Sequence, residues 1–198
     1  KAADPDVALK VTLDSKAYRY SVCNTAETLL VHRDIAKNFL PDAAVALKTK
    51  GVELRGDDET FQLIECKHAT DEDWAAEYLD AILSVKIVGS LGEAIDHINQ
   101  YGSGHTDAIV SKDTEAIERF MALVDSADVF ANCSTQLADG FMFGLGAEVG
   151  IATGKLHARG PMGLEGLCTY KYKLYGKGHT LADINDGKTP LIHRPLDI

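Results

Sequence analysis

The stretch SVCNTAETLLVH, at residues 21–32, places a cysteine among small and polar residues and follows it with an apolar run. That run, at residues 28–31, is rich in leucine and valine, which predicts a buried β-strand. A helical pattern over residues 6–16 precedes the cysteine, with Asp4 as a candidate cap. Cys23 is therefore predicted on a loop between two packed elements, where loops commonly carry chemistry. The plain alternative for a lone cysteine is a small buried hydrophobic residue.

The charge balance argues against a nucleic-acid-binding protein, because such proteins normally present a basic face and this chain has a net charge of −10. No apolar run approaches the ~20 residues of a membrane span, and no signal-peptide pattern opens the chain. The four cysteines are widely spaced and form no C-x-x-C pair. We therefore expect reduced thiols and a cytoplasmic location. The seven histidines show no metal-ligand spacing, so no metal site is predicted.

Strands and helices alternate along residues 28–132, which predicts an α/β fold with a mainly parallel sheet flanked by helices. The predicted helices cover residues 34–50, 90–101 and 114–124. The predicted strands cover residues 28–32, 52–55, 82–88, 107–110 and 129–131. Ser90 and Glu93 form a capping box at the start of one helix, whereas Pro41 is a residue that can break another. Residues 56–76 are predicted to be a polar surface connection with one short helical piece.

The composition changes after residue 141, where seven glycines fall between residues 144 and 166 and indicate an irregular loop. The stretch carries a small basic group, Lys155, His157 and Arg159, which either meets a phosphate or stands as solvated charges on that loop. Residues 169–174 alternate and predict a strand. We divide the chain into a catalytic domain with a C-terminal assembly segment at residues 1–175 and a tail at residues 176–198. The chain does not begin with methionine, and we expect it to be a piece of a longer protein.

Four stretches carry a resemblance to a known family. They are VCNTAETLLVH at 22–32, VGSLGEAIDHINQYGSGHTDAI at 88–109, NCSTQLADGFMFGLGAEVGI at 132–151 and KLHARGPMGLEGLCTYKY at 155–172. Together they resemble the C-terminal catalytic half of the γ-glutamyl phosphate reductases, or glutamate-5-semialdehyde dehydrogenases, of the aldehyde dehydrogenase superfamily. The resemblance implies an aldehyde dehydrogenase-like catalytic domain from which the dinucleotide-binding domain is absent.

The resemblance also implies a reaction, the NADPH-dependent reduction of L-γ-glutamyl 5-phosphate to L-glutamate 5-semialdehyde and phosphate in proline biosynthesis. Cys23 falls on the family's catalytic cysteine. A thiolate is a strong nucleophile near neutral pH, and an acyl phosphate offers a good leaving group. Attack would leave a thioester on Cys23, and hydride from NADPH would then give the aldehyde. The backbone N–H of Cys23 is the natural oxyanion donor.

Other site residues are implied by the same resemblance. Glu77 lines up with the superfamily glutamate that holds the nicotinamide ribose of the cofactor, with an exposed helix glutamate as the alternative. The candidates for substrate binding are Asn24, Ser134, Thr135, Phe143 and Arg159. Asn24 either orients the cysteine loop or caps a turn, and the two hydroxyls either bind substrate or shape a turn. His105 is expected to tie its loop by a hydrogen bond.

Two positions depart from the family pattern. The family usually has arginine where this chain has Gln136, and alanine where it has Cys133. If that arginine holds the substrate's carboxylate or phosphate, another cation must do so here, or the substrate preference has changed.

Three interpretations stay open at this stage. The first is the catalytic lobe of the reductase, which works on the small-molecule substrate L-γ-glutamyl phosphate together with a missing N-terminal cofactor domain and forms a homo-oligomer. The second is a fragment of another cysteine-dependent aldehyde dehydrogenase with a different acyl substrate. The third is a folding and assembly module without catalysis. Because the dinucleotide half is absent, we expect the isolated chain to be inactive. From its charge and its short apolar runs, we also expect no nucleic-acid and no membrane partner.

Overall fold

A computed structural model describes residues 1–192 of the chain. Its contacts divide the chain into two compact units, Lys1–Leu167 and Cys168–Ile198. The predicted tail begins at residue 176, and its residues 193–198 lie outside the described part. The roles predicted for the two pieces, catalytic domain and tail, stay predictions.

The first unit alternates helices with strands. Its helices are α1 (Pro5–Ala17), α2 (Arg33–Thr49), α3 (Asp58–Phe61), α4 (Leu91–Tyr101) and α5 (Thr114–Leu123). Its strands are β1 (Thr28–His32), β2 (Glu53–Gly56), β3 (Lys67–His68), β4 (Ile82–Val88), β5 (Thr106–Ile109), β6 (Asp128–Ala131), β7 (Gly150–Ala152) and β8 (Gly160–Met162). Short 3-10 helices cover Asp71–Ala75, Thr135–Leu137 and Glu165–Leu167. The described part of the second unit contains α6 (Leu181–Asn185).

The main sheet has four strands in the order β1-β4-β2-β3, and each neighbouring pair is parallel. β5 and β6 form a second parallel pair, and β7 and β8 form an antiparallel pair. The predicted α/β class, with a mainly parallel sheet flanked by helices, is therefore confirmed.

β1, the strand that follows the cysteine loop, lies at the edge of the main sheet. Thr28 is paired with Ser84 of β4, and His32 is paired with Val88. The predicted bounds of β1 are confirmed, but only Val31 is buried and the other four residues are partly exposed. An edge strand has a neighbour on one side only, so the predicted burial holds for Val31 and not for the other four residues.

The core lies where α2 packs on the centre of the main sheet. Leu40 and Leu47 of α2 and Leu83 and Val85 of β4 are each 1% exposed. Pro41 does not break α2, although it stands inside the helix. Its own side chain is exposed, and burial of the opposite face offsets the ~3 kcal/mol that an interior proline costs a helix.

Three segments differ from the predictions. Residues 144–166, for which an irregular loop is predicted, contain the antiparallel strands β7 and β8. Within residues 56–76, the short strand β3 pairs with β2 and extends the sheet, so the segment is more than a surface connection. Residues 169–174 form no strand in the described structure, and Tyr172 and Leu174 are 90% and 99% exposed. Alternation alone cannot make a strand, because a strand also needs a neighbour for its backbone hydrogen bonds.

Among residues 1–192, no helix is long and apolar enough to cross a bilayer.

Candidate active site

The cysteine loop joins the end of α1 to the start of β1 and is fixed by hydrogen bonds at both ends. The hydroxyl of Thr25 donates to the carbonyl of Arg19 over 2.7 Å. The backbone N–H of Ala26 donates to the carbonyl of Ser15 in α1 over 2.9 Å. Cys23 stands between these anchors, and its side chain is exposed. The loop therefore presents the sulfur to solvent on a fixed backbone.

The sulfur of Cys23 lies in a field that disfavours its charged form. Partial burial raises the pKa of the Cys23 thiol, and the negative charges of Glu148 and Glu77 raise it further. Its own backbone N–H and that of Asn24 donate toward the sulfur and oppose this shift. In the described structure the thiol is therefore protonated near neutral pH, and its reactivity depends on removal of the proton.

The 3-10 helix Thr135–Leu137 packs against the end of α1. The hydroxyl of Ser15 donates to the Ser134 hydroxyl over 3.3 Å and accepts from the backbone N–H of Thr135 over 3.2 Å. Ser134 and Thr135 are both buried. Ser134 Oγ also accepts from the N–H of Gln136, which makes it a turn cap. Thr135 Oγ1 is buried without a hydrogen-bond partner among the described residues.

Gln136 and Asn24 tie this 3-10 helix to the cysteine loop. Gln136 Nε2 donates to the carbonyls of Arg19 and Ser15 over 2.9 and 3.2 Å. Asn24 Nδ2 donates to the carbonyl of Ala138 over 3.1 Å. Of the two roles left open for Asn24, these contacts match orientation of the loop. Asn24 Oδ1 is buried without a hydrogen-bond partner in residues 1–192.

Glu77 lies on the connection between the 3-10 helix Asp71–Ala75 and β4, and its side chain is exposed. The next residue, Tyr78, anchors this connection, because its hydroxyl lies 2.6 Å from Asp73 Oδ1 and 2.7 Å from Ser84 Oγ. Burial and the Asp73 carboxylate raise the pKa of Tyr78 to about 12. Arg55 also donates to Asp73 over 2.7 Å. A hydrogen-bonded network therefore holds the backbone on which Glu77 stands.

One cavity of about 880 Å³ brings several of these residues together. Cys23, Glu77 and Thr135 all line it, and so does Glu27 at the end of the cysteine loop. Its walls also include three aromatic side chains, Trp74, His97 and Tyr101. A cysteine, a glutamate and a threonine therefore line one space large enough for a small-molecule ligand.

Four substrate-binding candidates, Asn24, Ser134, Phe143 and Arg159, are not among the residues that line this cavity. Asn24 and Ser134 make the contacts described above, and Phe143 and Arg159 are engaged elsewhere. The ring of Phe143 packs edge-on against Phe130, with centroids 6.3 Å apart. Arg159 Nη1 donates to Asp125 Oδ1 over 3.1 Å, and Lys155 pairs with the same carboxylate. Neither Phe143 nor Arg159 is among the residues that line the cavity.

His105 is buried near the cavity but makes a local contact. Its Nδ1 lies 2.6 Å from the hydroxyl of Thr106, and burial lowers its pKa below the ordinary histidine value. This is the loop-tying hydrogen bond predicted for it. His105 Nε2 has no hydrogen-bond partner in the described part of the chain.

Comparison with known proteins gives this chain clear relatives. No family model matches the chain. The chain is 57% identical over 196 residues to the γ-glutamyl phosphate reductase of Synechococcus sp. (strain JA-3-3Ab), which covers 98% of this chain and 43% of that relative. The chain is homologous to part of the γ-glutamyl phosphate reductases.

Solved structures agree with this relationship. The crystal structure of γ-glutamyl phosphate reductase from Thermotoga maritima matches 91% of this chain and 44% of its own, at 42% identity and a TM-score of 0.87. A variant of betaine aldehyde dehydrogenase from Staphylococcus aureus matches 68% of this chain at a TM-score of 0.56 and 16% identity. That second likeness shows the aldehyde dehydrogenase fold alone. The chain spans less than half the length of the reductases it matches.

Within the homology to γ-glutamyl phosphate reductase, Gln136 has a definite structural place. Its amide binds backbone carbonyls at the end of α1, and it is only partly exposed. The amide N–H groups of Gln136 therefore hold the backbone beside the cysteine loop, and they are already engaged there by carbonyl groups.

Three charged groups at the site were missed by sequence reasoning. Glu148 and Glu27 both lie inside stretches that carry the resemblance, and Lys16 lies just before one of them. Sequence gave no signal that Glu148 acts on Cys23, since the two residues are far apart along the chain. A fully buried lysine such as Lys16 has no sequence signature either.

The charge of Glu148 yields a testable expectation for the thiol. Because that charge raises the pKa of Cys23, Glu148→Gln is expected to speed alkylation of Cys23 by iodoacetamide at pH 7 on the order of threefold. The rate is read per cysteine by peptide mass spectrometry. Glu118→Gln, on the exposed face of α5, is the matched control and leaves the rate unchanged. An equal effect of both variants would contradict the assignment.

Proposed function

We propose that this chain supplies the catalytic thiol of a γ-glutamyl phosphate reductase, which reduces L-γ-glutamyl 5-phosphate to L-glutamate 5-semialdehyde in proline biosynthesis. The observation that carries the proposal is the exposed Cys23 at a cavity shared with Glu77 and Thr135. The homology to the reductases supports the choice of substrate. The remaining partners in the proposal are a cofactor domain outside this chain and further copies in a homo-oligomer.

The first chemical step is attack by Cys23 on the acyl phosphate. Because the pKa of the thiol is raised, a base must take its proton as the sulfur–carbon bond forms. Because the Cys23 side chain is exposed, solvent water can take this proton. The bond from the acyl carbon to the phosphate oxygen breaks, and phosphate leaves with its electron pair. The backbone N–H of Cys23 is the donor that we propose for the developing oxyanion.

The product of that step is a thioester on Cys23, which needs two electrons and a proton to become an aldehyde. When bound, NADPH would supply these electrons as a hydride. Glu77 fits a nicotinamide cofactor, because its exposed carboxylate reaches the same cavity as the sulfur and carboxylates accept hydrogen bonds from ribose hydroxyls. Cys23 then leaves as the thiolate and is ready for another cycle.

Substrate recognition in this proposal rests on Thr135. Thr135 lines the cavity, and its buried hydroxyl has no hydrogen-bond partner in the described chain, so a change of its side-chain rotamer would let it bind a polar substrate group. Asn24 and Ser134 act by holding the backbone around Cys23. Phe143 and Arg159 are engaged by Phe130 and Asp125 and receive no role at the cavity. We propose a cytoplasmic site of action, since none of the four described cysteines forms a disulfide.

Turnover tests the proposal. A complete reductase that includes these residues is expected to reduce γ-glutamyl phosphate with NADPH and to leave simple aliphatic aldehydes nearly unchanged. The 198-residue chain alone is expected to bind no nicotinamide cofactor tightly and to show no turnover, because more than half of the reductase length is outside it. Preference for simple aldehydes would favour another cysteine-dependent aldehyde dehydrogenase. Turnover by the isolated chain would refute the need for a separate cofactor domain.

A further inference from the structure

A buried ion pair, formed by Lys16 and Glu27, borders the cavity. Lys16, in the last turn of α1, is 0% exposed, and its Nζ lies 2.6 Å from Glu27 Oε2. The Glu27 side chain is 17% exposed and lines the cavity. Glu27 is also the last residue of the cysteine loop before β1. The pair therefore fixes one end of the loop that carries Cys23.

The second oxygen of Glu27 reaches another part of the site. Glu27 Oε1 accepts a hydrogen bond from the backbone N–H of Leu79 over 3.3 Å. Leu79 has a φ of 52°, in the left-handed region that non-glycine residues rarely adopt. It stands two residues after Glu77. The carboxylate of Glu27 thus joins α1, the cysteine loop and the turn that carries Glu77.

The stability of the folded chain does not by itself explain why Lys16 and Glu27 form a buried ion pair. Burial lowers the pKa of Lys16 and raises the pKa of Glu27, because both charges are taken out of water. Buried ion pairs commonly add no stability over apolar residues of similar size. An apolar pair in this place would, however, leave the N–H of Leu79 without its acceptor. The distinctive property of Glu27 is that one oxygen binds Lys16 while the other holds a strained turn.

We infer that Lys16 and Glu27 are positioning residues that hold the Glu77 turn against the cysteine loop and thereby set the place of the cofactor's ribose relative to Cys23. This inference deepens the proposed function and rests on its assignment of Glu77 to the cofactor. Neither residue touches the reacting atoms. Their effect is transmitted through the backbone of Leu79 to Glu77.

Two double variants separate positioning from ion pairing. Lys16→Met with Glu27→Leu removes both charges and the acceptor for the Leu79 N–H. Lys16→Met with Glu27→Gln removes both charges but keeps an amide oxygen in the acceptor's place. In the complete reductase, the leucine variant is expected to raise the cofactor KM about tenfold, with kcat changed less than about threefold. The glutamine variant is expected to keep both constants near those of the parent enzyme.

A second measurement reads the turn itself. Hydrogen exchange at the Leu79 amide in the 198-residue chain is expected to rise about tenfold in the leucine variant and little in the glutamine variant. An unchanged cofactor KM and unchanged Leu79 exchange in the leucine variant would overturn the inference, as would equal losses in both double variants.

Failure of the proposed function has a different outcome. Glu77→Gln in the complete reductase tests whether that carboxylate binds the cofactor. One outcome is that Glu77→Gln leaves the cofactor KM unchanged while Leu79 exchange still differs between the two double variants. That outcome would refute the cofactor role of Glu77 and support the role of Glu27 in holding the turn. The other outcome is that Glu77→Gln raises the cofactor KM but the two double variants behave alike. That outcome would refute the positioning role of Lys16 and Glu27 and support the proposed function.

Discussion

Replacing Cys23 by serine is expected to lower the turnover of γ-glutamyl phosphate by at least about 10⁴-fold in the complete reductase. A hydroxyl has a far higher pKa than a thiol, so the attacking anion is scarce. Serine would also form an ordinary ester, which accepts hydride less readily than a thioester does. Because the Cys23 side chain is exposed, its replacement is expected to leave the unfolding temperature nearly unchanged. Steady-state rates and a thermal unfolding curve measure the two effects.

Cys133→Ala is the matched control for that experiment. Cys133 is partly buried, does not line the cavity, and occupies a position where the resemblance leads us to expect alanine. Its replacement is expected to keep activity within about twofold of the parent enzyme. Retained turnover in Cys23→Ser, or an equal loss in Cys133→Ala, would show that another residue is the nucleophile.

The largest expected effect on stability comes from Glu27→Leu alone. This change leaves the ammonium of Lys16, which is 0% exposed, without its charged partner. Breaking a buried ion pair from one side typically costs about 3–5 kcal/mol in the free energy of unfolding. Chemical denaturation of the 198-residue chain at pH 7 measures this loss.

The same variant is expected to regain stability as the pH rises. Burial lowers the pKa of Lys16 in the folded chain, and the charge of Glu27 opposes that shift, so loss of Glu27 lowers the pKa further. The unfolded chain then binds more protons than the folded chain at any pH between the folded pKa and the ordinary lysine value of about 10.4. The free energy of unfolding therefore rises with pH across that window. A flat or falling profile would contradict a buried, unpaired lysine.

Two controls separate charge burial from loss of side-chain contacts. Adding Lys16→Met to Glu27→Leu removes the stranded charge and is expected to restore most of the stability and to abolish the pH dependence. Glu65→Leu breaks the exposed pair between Lys48 and Glu65, and no shift of the unfolding midpoint is expected there. Equal losses in Glu27→Leu and Glu65→Leu would mean that the buried pair has no special cost.

Much of the fold was predictable because its signals are local. The bounds of β1 and β4 were predicted correctly from short apolar runs, and α1 begins at the predicted cap, where Asp4 accepts from the backbone N–H of Asp6. Gly51 ends α2 with a φ of +82°, as glycine at that position indicates. Periodicity does not say which strand lies at a sheet edge. The half-buried state of β1 and the pairing of β3 were therefore outside its reach.

For the candidate site, too, some features were predictable from the sequence and others were not. The sequence pointed to Cys23 through a matching stretch and to Glu77 through its alignment with the superfamily glutamate. It could not say that both residues line one cavity with Thr135. Gln136 replaces the arginine that the family usually has, so the sequence indicated only the loss of a positive charge. In the structure the Gln136 amide donates to the carbonyl of Ser15 in α1. Each of these outcomes depends on how segments more than 50 residues apart pack together.

The sequence by itself determined the alternation of helices and strands, the relationship to γ-glutamyl phosphate reductase and the loop that carries a thiol. Local propensity and matching residues are enough for these conclusions. Only the tertiary structure decided that Glu148 and Glu77 act on the sulfur and that Glu27 joins Lys16 to the turn at Leu79. Charge effects and hydrogen bonds depend on distance in space, and that distance is set by packing of the whole unit.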